Sequence, residues 1–235
     1  MADSRNYEPA LTTDSPVSTK KRNSVLRNTY WLLSLSMVPT VFGAWVGVTT
    51  GFTLFATTSP IMSALAFLAI SFGFMSAIQQ TKNSRIGVLV LLSFTFFMGL
   101  MLSRLLSFIL GFTNGVSLIM LAFGGTSLTF AVIATVATLS KRDFSLLWGK
   151  WLFVGVLVLL LATVANIFMH LPALMLTVSA LAIIIFSAYM LCDVQRVVNG
   201  GELNYISATL MIYLDLYNVF TNLVAMLGIF SDNRD

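Results

Sequence analysis

The sequence predicts an all-α polytopic membrane protein, a bundle of seven transmembrane helices with the seventh at its centre. Three observations lead there. Of the 235 residues, 57% are hydrophobic and only 9% charged, whereas a soluble globular domain carries roughly 25% charged residues. The charges are also unevenly spaced: none falls between Arg27 and Lys82, or between Arg104 and Lys141. One crossing of a bilayer takes about 20 apolar residues, so each of these intervals holds two helices and the hairpin that joins them. The third observation is a polar stripe in the last apolar run. Asp215, Asn218 and Asn222 stand at i, i+3 and i+7, on one helical face, and such a face does not look at lipid.

The elements follow in order. Residues 1–28 are polar and include five basic residues; with no apolar face on which to fold, they are expected to form a disordered cytoplasmic tail. The first apolar run starts near Thr29 and is too long for the core of a signal peptide, so no cleaved leader is expected. The transmembrane domain is expected over 29–230. Helix one runs Thr29–Thr53 and helix two Pro60–Gln80, after a Thr/Ser/Pro break. Helix three runs Ile86–Leu110, up to the turn Gly111–Gly115, and helix four Val116–Leu139. Helices five, six and seven cover Trp148–Met169, Leu174–Val198 and Tyr205–Phe230, and residues 231–235 form a short C-terminal tail.

The basic residues orient the bundle. With the N-terminus inside, Arg5, Lys20, Lys21, Arg22, Arg27, Lys82, Arg85, Lys141, Arg142, Lys150 and Arg196 are cytoplasmic, only Arg234 is outside, and Arg104 lies in the third span. Lys and Arg concentrate on the cytoplasmic side of membrane proteins, so the N-terminus is expected inside and, after seven spans, the C-terminus outside. The same distribution disposes of the net charge of +4 as a sign of nucleic acid, because the charges sit in short loops as topology signals. Cys192 is the single cysteine, which excludes an intramolecular disulfide and any C-x-x-C site.

Within the spans, few residues bear on function. Gly43, Gly47 and Gly51 recur every fourth position on helix one, a small-xxx-small spacing that lets a neighbouring backbone approach; packing inside the bundle is the expected role. Asp193 and Asp215 are the informative pair, since an ionisable side chain in a span costs at least ~2.5 kcal/mol and marks a functional candidate. Helix six descends, placing Asp193 a turn or two from the inner end, and helix seven ascends, placing Asp215 about 15 Å up at 1.5 Å per residue. If they meet, two carboxylates in a dry site cannot both ionise cheaply and come to share a proton. With both ionised, they offer hard oxygens to a cation such as Ca²⁺; no other cofactor is implied. Arg104, near the outer end of helix three, is expected to snorkel to the headgroups, and His170, in an outer turn, is given no role.

Enzymatic readings find no support. Helix seven holds no Lys for a retinal Schiff base, and G-x-G-D is absent. Gly124-Gly125-Thr126-Ser127 is followed by Leu128 rather than the Gly of an intramembrane serine-protease motif. The protein is not expected to be an enzyme.

Three stretches do form a pattern: Cys192-Asp193-Val194-Gln195, Gly200-Gly201-Glu202-Leu203-Asn204-Tyr205-Ile206, and Tyr213-Leu214-Asp215-Leu216-Tyr217-Asn218-Val219-Phe220. Together they resemble the signature of the Bax inhibitor 1 (transmembrane Bax inhibitor motif) family. Leu26-Arg27-Asn28-Thr29-Tyr30, Gly124-Gly125-Thr126, Lys141-Arg142-Asp143-Phe144-Ser145, Val164-Ala165-Asn166-Ile167-Phe168 and Leu171-Pro172-Ala173-Leu174 are similar to its bacterial YccA-like branch, modulators of the FtsH protease. The resemblance implies a bacterial inner-membrane protein with helix seven central. It implies FtsH as a partner and, alternatively, a pH-sensitive Ca²⁺ leak gated by an Asp193/Asp215 latch. Asn218, Asn222, Glu202 and Lys82 are candidate supports of that latch. In some members a basic residue near the inner end of helix two pairs with the acids; here that region reads Gln79-Gln80-Thr81-Lys82, which leaves Lys82 as the substitute. Besides the lipid bilayer and FtsH, no partner is implied, and the oligomeric state is open.

Overall fold

The structure, a computed structural model, describes residues 16–52, 60–140, 144–169 and 171–232. These form α1 (Pro16–Thr50), α2 (Pro60–Thr81), α3 (Arg85–Leu110), α4 (Gly115–Leu139), α5 (Phe144–Met169), α6 (Pro172–Val198) and α7 (Tyr205–Asp232). All seven are long and apolar enough to cross a membrane, and only helices and closed barrels satisfy their backbone groups in lipid. The chain is a seven-helix membrane bundle, as its composition and charge spacing predict.

One boundary differs markedly from expectation. α1 begins at Pro16, not near Thr29, so 16–28, expected to belong to a disordered tail, is its first third. Proline favours the first helical position. The apolar part of α1 provides the costly nucleus, after which each added residue needs only propagation. Val25 and Thr29, 7% and 0% exposed, anchor the extension against the bundle. Residues 1–15 and 233–235, the remainder of the expected tails, lie outside the described residues, as does His170. α1 stops after Thr50 because Gly51 turns left-handed, with φ of 61°, the usual glycine stop at a helix C-terminus.

α7 packs against α1, α2, α3, α4 and α6, which makes it the axis of the bundle; α5 packs on α6 at the periphery. Beside an apolar core that includes Leu91, Phe94, Met190 and Ile212, many large apolar groups face outward. Trp31, Trp45, Phe72 and Trp151 are well exposed on the lipid side, whereas Thr29, Ser36, Thr40, Thr95 and Ser103 of α1 and α3 are buried. Lipid is as apolar as leucine, so helix association rests on close packing and interhelical hydrogen bonds, for which small residues are suited. At the α1–α3 contact, a Cβ on Gly43 would run into the Phe96 carbonyl oxygen and one on Gly99 into that of Thr40; a Cβ on Gly47 would meet the Ser103 side chain. Gly43 and Gly47 therefore pack inside the bundle. Gly51 departs from the sequence expectation: a Cβ there meets nothing within 4 Å, and its role is to end α1.

Candidate functional site

The site is built on the α6–α7 hairpin. α6 closes as the Asn199 N–H donates to the Gln195 carbonyl (2.7 Å) and the Gly201 N–H to that of Arg196 (2.8 Å). Gly200 takes φ of 78° between them, a conformation glycine adopts without steric penalty. Asn204 then caps α7: its Oδ1 accepts from the N–H groups of Ile206 (3.0 Å) and Ser207 (3.1 Å), satisfying two of the donors that every helix start leaves open. The Asn204 amide also donates to the Lys82 carbonyl (2.9 Å) and to Asn83 Oδ1 (3.0 Å), which ties the hairpin to the α2–α3 turn. Glu202 Oε1 accepts from the Asn204 N–H at 2.7 Å. On the other side, buried Gln195 accepts from the N–H of Phe144, first residue of α5, at 3.0 Å.

This framework folds α6 and α7 back about Asn204 and brings Asp193 and Asp215 together. Both are 6% exposed, and their carboxyl groups lie within hydrogen-bonding reach of each other. Arg196, one turn along α6, sits with Nη1 3.3 Å from Asp193 Oδ1. Asp215 Oδ2 is enclosed and meets no donor. A buried carboxylate oxygen without a donor is expensive, and two like charges in contact in a dry site are more so; one proton between the carboxyls removes both costs.

The four candidate supports lie elsewhere. The amides of Asn218 and Asn222 donate back along α7, to the carbonyls of Leu214 and Asn218, both at 2.8 Å. Glu202 and the main chain of Lys82 serve the hairpin and its tie to the α2–α3 turn. The basic group beside the pair is Arg196, at i+3 from Asp193. Its spacing was visible in the sequence, since i and i+3 share a helical face, but the resemblance drew attention to helix two. As to Ca²⁺, no group of three or more His, Cys, Asp or Glu side chains that could hold a metal occurs among the described residues. Two carboxylates supply at most about four oxygens of the six to eight that Ca²⁺ takes.

A second polar face of α7 was not anticipated. Tyr213 and Thr40 share a hydrogen bond of 2.9 Å, Tyr217 donates to the Met98 carbonyl at 3.1 Å, and Thr209 donates to the Tyr205 carbonyl at 2.7 Å while lying 3.3 Å from that of Thr29. These residues recur at i, i+4 and i+8 and stitch α7 to α1 and α3. The repeat was legible as a stripe but sits among Leu, Val and Phe, where tyrosine reads as one more large apolar residue.

Comparison with known proteins places the whole bundle in one family. The family model described as inhibitor of apoptosis-promoting Bax1 matches residues 22–232. An Escherichia coli protein named modulator of FtsH protease YccA is 37% identical over 206 residues, 88% of this chain and 90% of its own. Its counterpart in a second Escherichia coli strain, with the same identity and coverage, is named inner membrane protein YccA. A Vibrio cholerae protein described as an uncharacterized membrane protein is 34% identical over 221 residues, 94% of this chain and 96% of its own.

Proposed function

The chain belongs to the Bax inhibitor 1 family, and on that premise we propose that it is a multi-pass inner-membrane modulator of the membrane-anchored protease FtsH, acting in membrane-protein quality control. The observation that carries this reading is the alignment with a relative named for that role, which runs through 88% of this chain and so includes the bundle rather than one loop. The N-terminus is cytoplasmic in this reading, because the basic residues of α1, of the α2–α3 turn, of the start of α5 and of the end of α6 all fall at one end of the bundle. That end also carries the hairpin, whose tie to the α2–α3 turn presents a fixed surface at the membrane face. The test is co-purification of the full-length protein with FtsH from membranes, together with the half-life of an FtsH membrane substrate. The substrate should decay more slowly when the chain is overproduced. Unchanged decay together with no FtsH recovered would overturn the proposal.

A second reading, a pH-sensitive Ca²⁺ or cation leak, is favoured by one specific observation: the buried Asp193–Asp215 contact with its donorless oxygen. Proton loss places like charges in contact and loosens α6 from α7, the two helices that frame the hairpin. A passing cation would use these oxygens transiently and keep most of its water, since the pair alone does not complete a Ca²⁺ shell. The two readings are compatible, because the same proton-dependent junction can alter the surface that a protease meets.

A further inference from the structure

On the opposite face of α7 from Asp215, α1 and α4 stand apart and leave an apolar cavity of about 520 Å³. Val41 and Trp45 form one rim and Met120 and Phe123 the other; Tyr217 and Phe220 of α7 lie along the floor. The rim residues are 61–68% exposed and belong to the lipid-facing surface, so the cavity is a continuation of the protein's interface with the bilayer.

We propose that this cavity is a binding site for one acyl chain of a bilayer phospholipid, which enters sideways between α1 and α4. Shape selects this occupant. Along α1 the lining extends from Met37 to Val48, about 16 Å at 1.5 Å per residue, and one leaflet of the hydrocarbon core is about 15 Å deep. Spread over that length, the volume leaves the centre of a water-sized sphere about 6 Å of travel across, so the slot is about 9 Å wide, narrower than a partner helix of 10–12 Å and wide enough for a hydrocarbon chain. Apart from the exposed Ser127, the lining is apolar or has its hydroxyls engaged: Thr40 bonds Tyr213 and the Ser36 carbonyl, Tyr217 bonds the Met98 carbonyl, and Thr126 bonds the Ala122 carbonyl. Polar ligands therefore find no free donor at these positions, and a dry apolar slot that opens into lipid fills with lipid.

The structure also supplies the means of testing it. A Cβ on Gly124 meets nothing within 4 Å, so a side chain at this lining position grows into the open slot rather than into the fold. Full-length protein is extracted from membranes, washed exhaustively in detergent and weighed intact by native mass spectrometry, before and after exposure to phosphatidylethanolamine–phosphatidylglycerol vesicles. The wild type and Gly124→Ala should retain a single phospholipid, and Gly124→Phe and Ser127→Phe should lose it, with retention at least tenfold lower. Trp45, left as the sole tryptophan by Trp31→Phe, Trp148→Phe and Trp151→Phe, should keep its quenching by acyl-brominated phospholipid through the wash, and lose it when Gly124→Phe is added. Should one filled variant fail to fold, the other serves. Equal retention in the wild type and a folded filled variant, no retained lipid in the wild type, or a second polypeptide in the slot would each overturn the proposal.

Discussion

α7 makes two kinds of polar junction, and they are built on opposite plans. Toward α1 and α3, polar groups find partners: Tyr213 meets Thr40, and Tyr217 meets the Met98 carbonyl. The helices there approach to glycine contact, Gly43 and Gly47 on one side and Gly99 on the other. Toward α6, the central polar contact joins two groups of the same charge type, and one oxygen of Asp215 has no donor at all. The first junction is complete whatever the pH. In the proposed latch, the second is completed only by a proton shared between the two carboxyls. Satisfied polarity in a membrane interior thus reads as structure, and an incomplete pairing of ionisable groups reads as a device.

The comparison can be broken most decisively at the rigid junction. Gly99→Leu drives a branched side chain into the Thr40 carbonyl, where no flexible neighbour can give way. Overpacking a core costs about 1–3 kcal/mol and occasionally more; against backbone on a central interface the upper end is expected. Folded protein in detergent, measured by size-exclusion yield and thermal unfolding, should largely disappear. A Gly99→Leu protein of normal stability would show that α1 and α3 separate freely.

At the second junction the effect depends on what replaces the acid. Asp215→Ala leaves Asp193 buried opposite an apolar group, and loss of a buried partner costs about 1–3 kcal/mol. Asp215→Asn keeps the shape and offers an N–H donor to Asp193, so its unfolding midpoint should stay near that of the wild type. If the two variants were equally destabilised, the contact would be packing and not a shared proton.

Smaller effects sharpen the picture. Tyr213→Phe removes the bond to Thr40 and a longer one, 3.5 Å, to the Thr95 carbonyl; interhelical hydrogen bonds in membranes average about 0.6 kcal/mol, so a small fall in melting temperature is expected with no change in pH response. A changed pH response in Tyr213→Phe would mean that the two junctions are not separate. The smallest effect belongs to Asn222→Ala. Its amide bonds only its own helix, so a change within about 0.5 kcal/mol is expected; a loss comparable to Asp215→Ala would restore Asn222 to the latch.

Much of this was legible in the chain. Two charge-free intervals announced four of the seven spans and the apolar runs the rest, and Asp215 with its two asparagines announced a buried α7, because membrane insertion penalises polar atoms so heavily that their mere presence is informative. The glycine spacing on α1 located the close approach but not its partner, since Gly99 shows no repeat of its own, and it wrongly enrolled Gly51, whose role depends on backbone conformation rather than on spacing. The polar stripe gave the right helix and misjudged its members. Asn218 and Asn222 share a face with Asp215, but a helical carbonyl four residues back is always within reach of an amide and competes with distant partners. The helical start at Pro16 was hidden because a basic, polar segment reads as tail unless a neighbouring helix propagates into it. The tie of Asn204 to Lys82 and Asn83 spans more than a hundred residues of sequence, and no local pattern reveals such a contact.

The central proposal is that a proton shared between Asp193 and Asp215 makes the α6–α7 junction responsive to pH. It is tested most directly by Ca²⁺ entry into liposomes containing the purified full-length protein, measured across pH for wild type, Asp193→Asn and Asp215→Asn. Asparagine cannot exchange a proton, so the account predicts a wild-type entry rate that changes with pH and profiles flattened in both variants. A wild-type profile that is itself flat, or one reproduced unchanged by both variants, would contradict it.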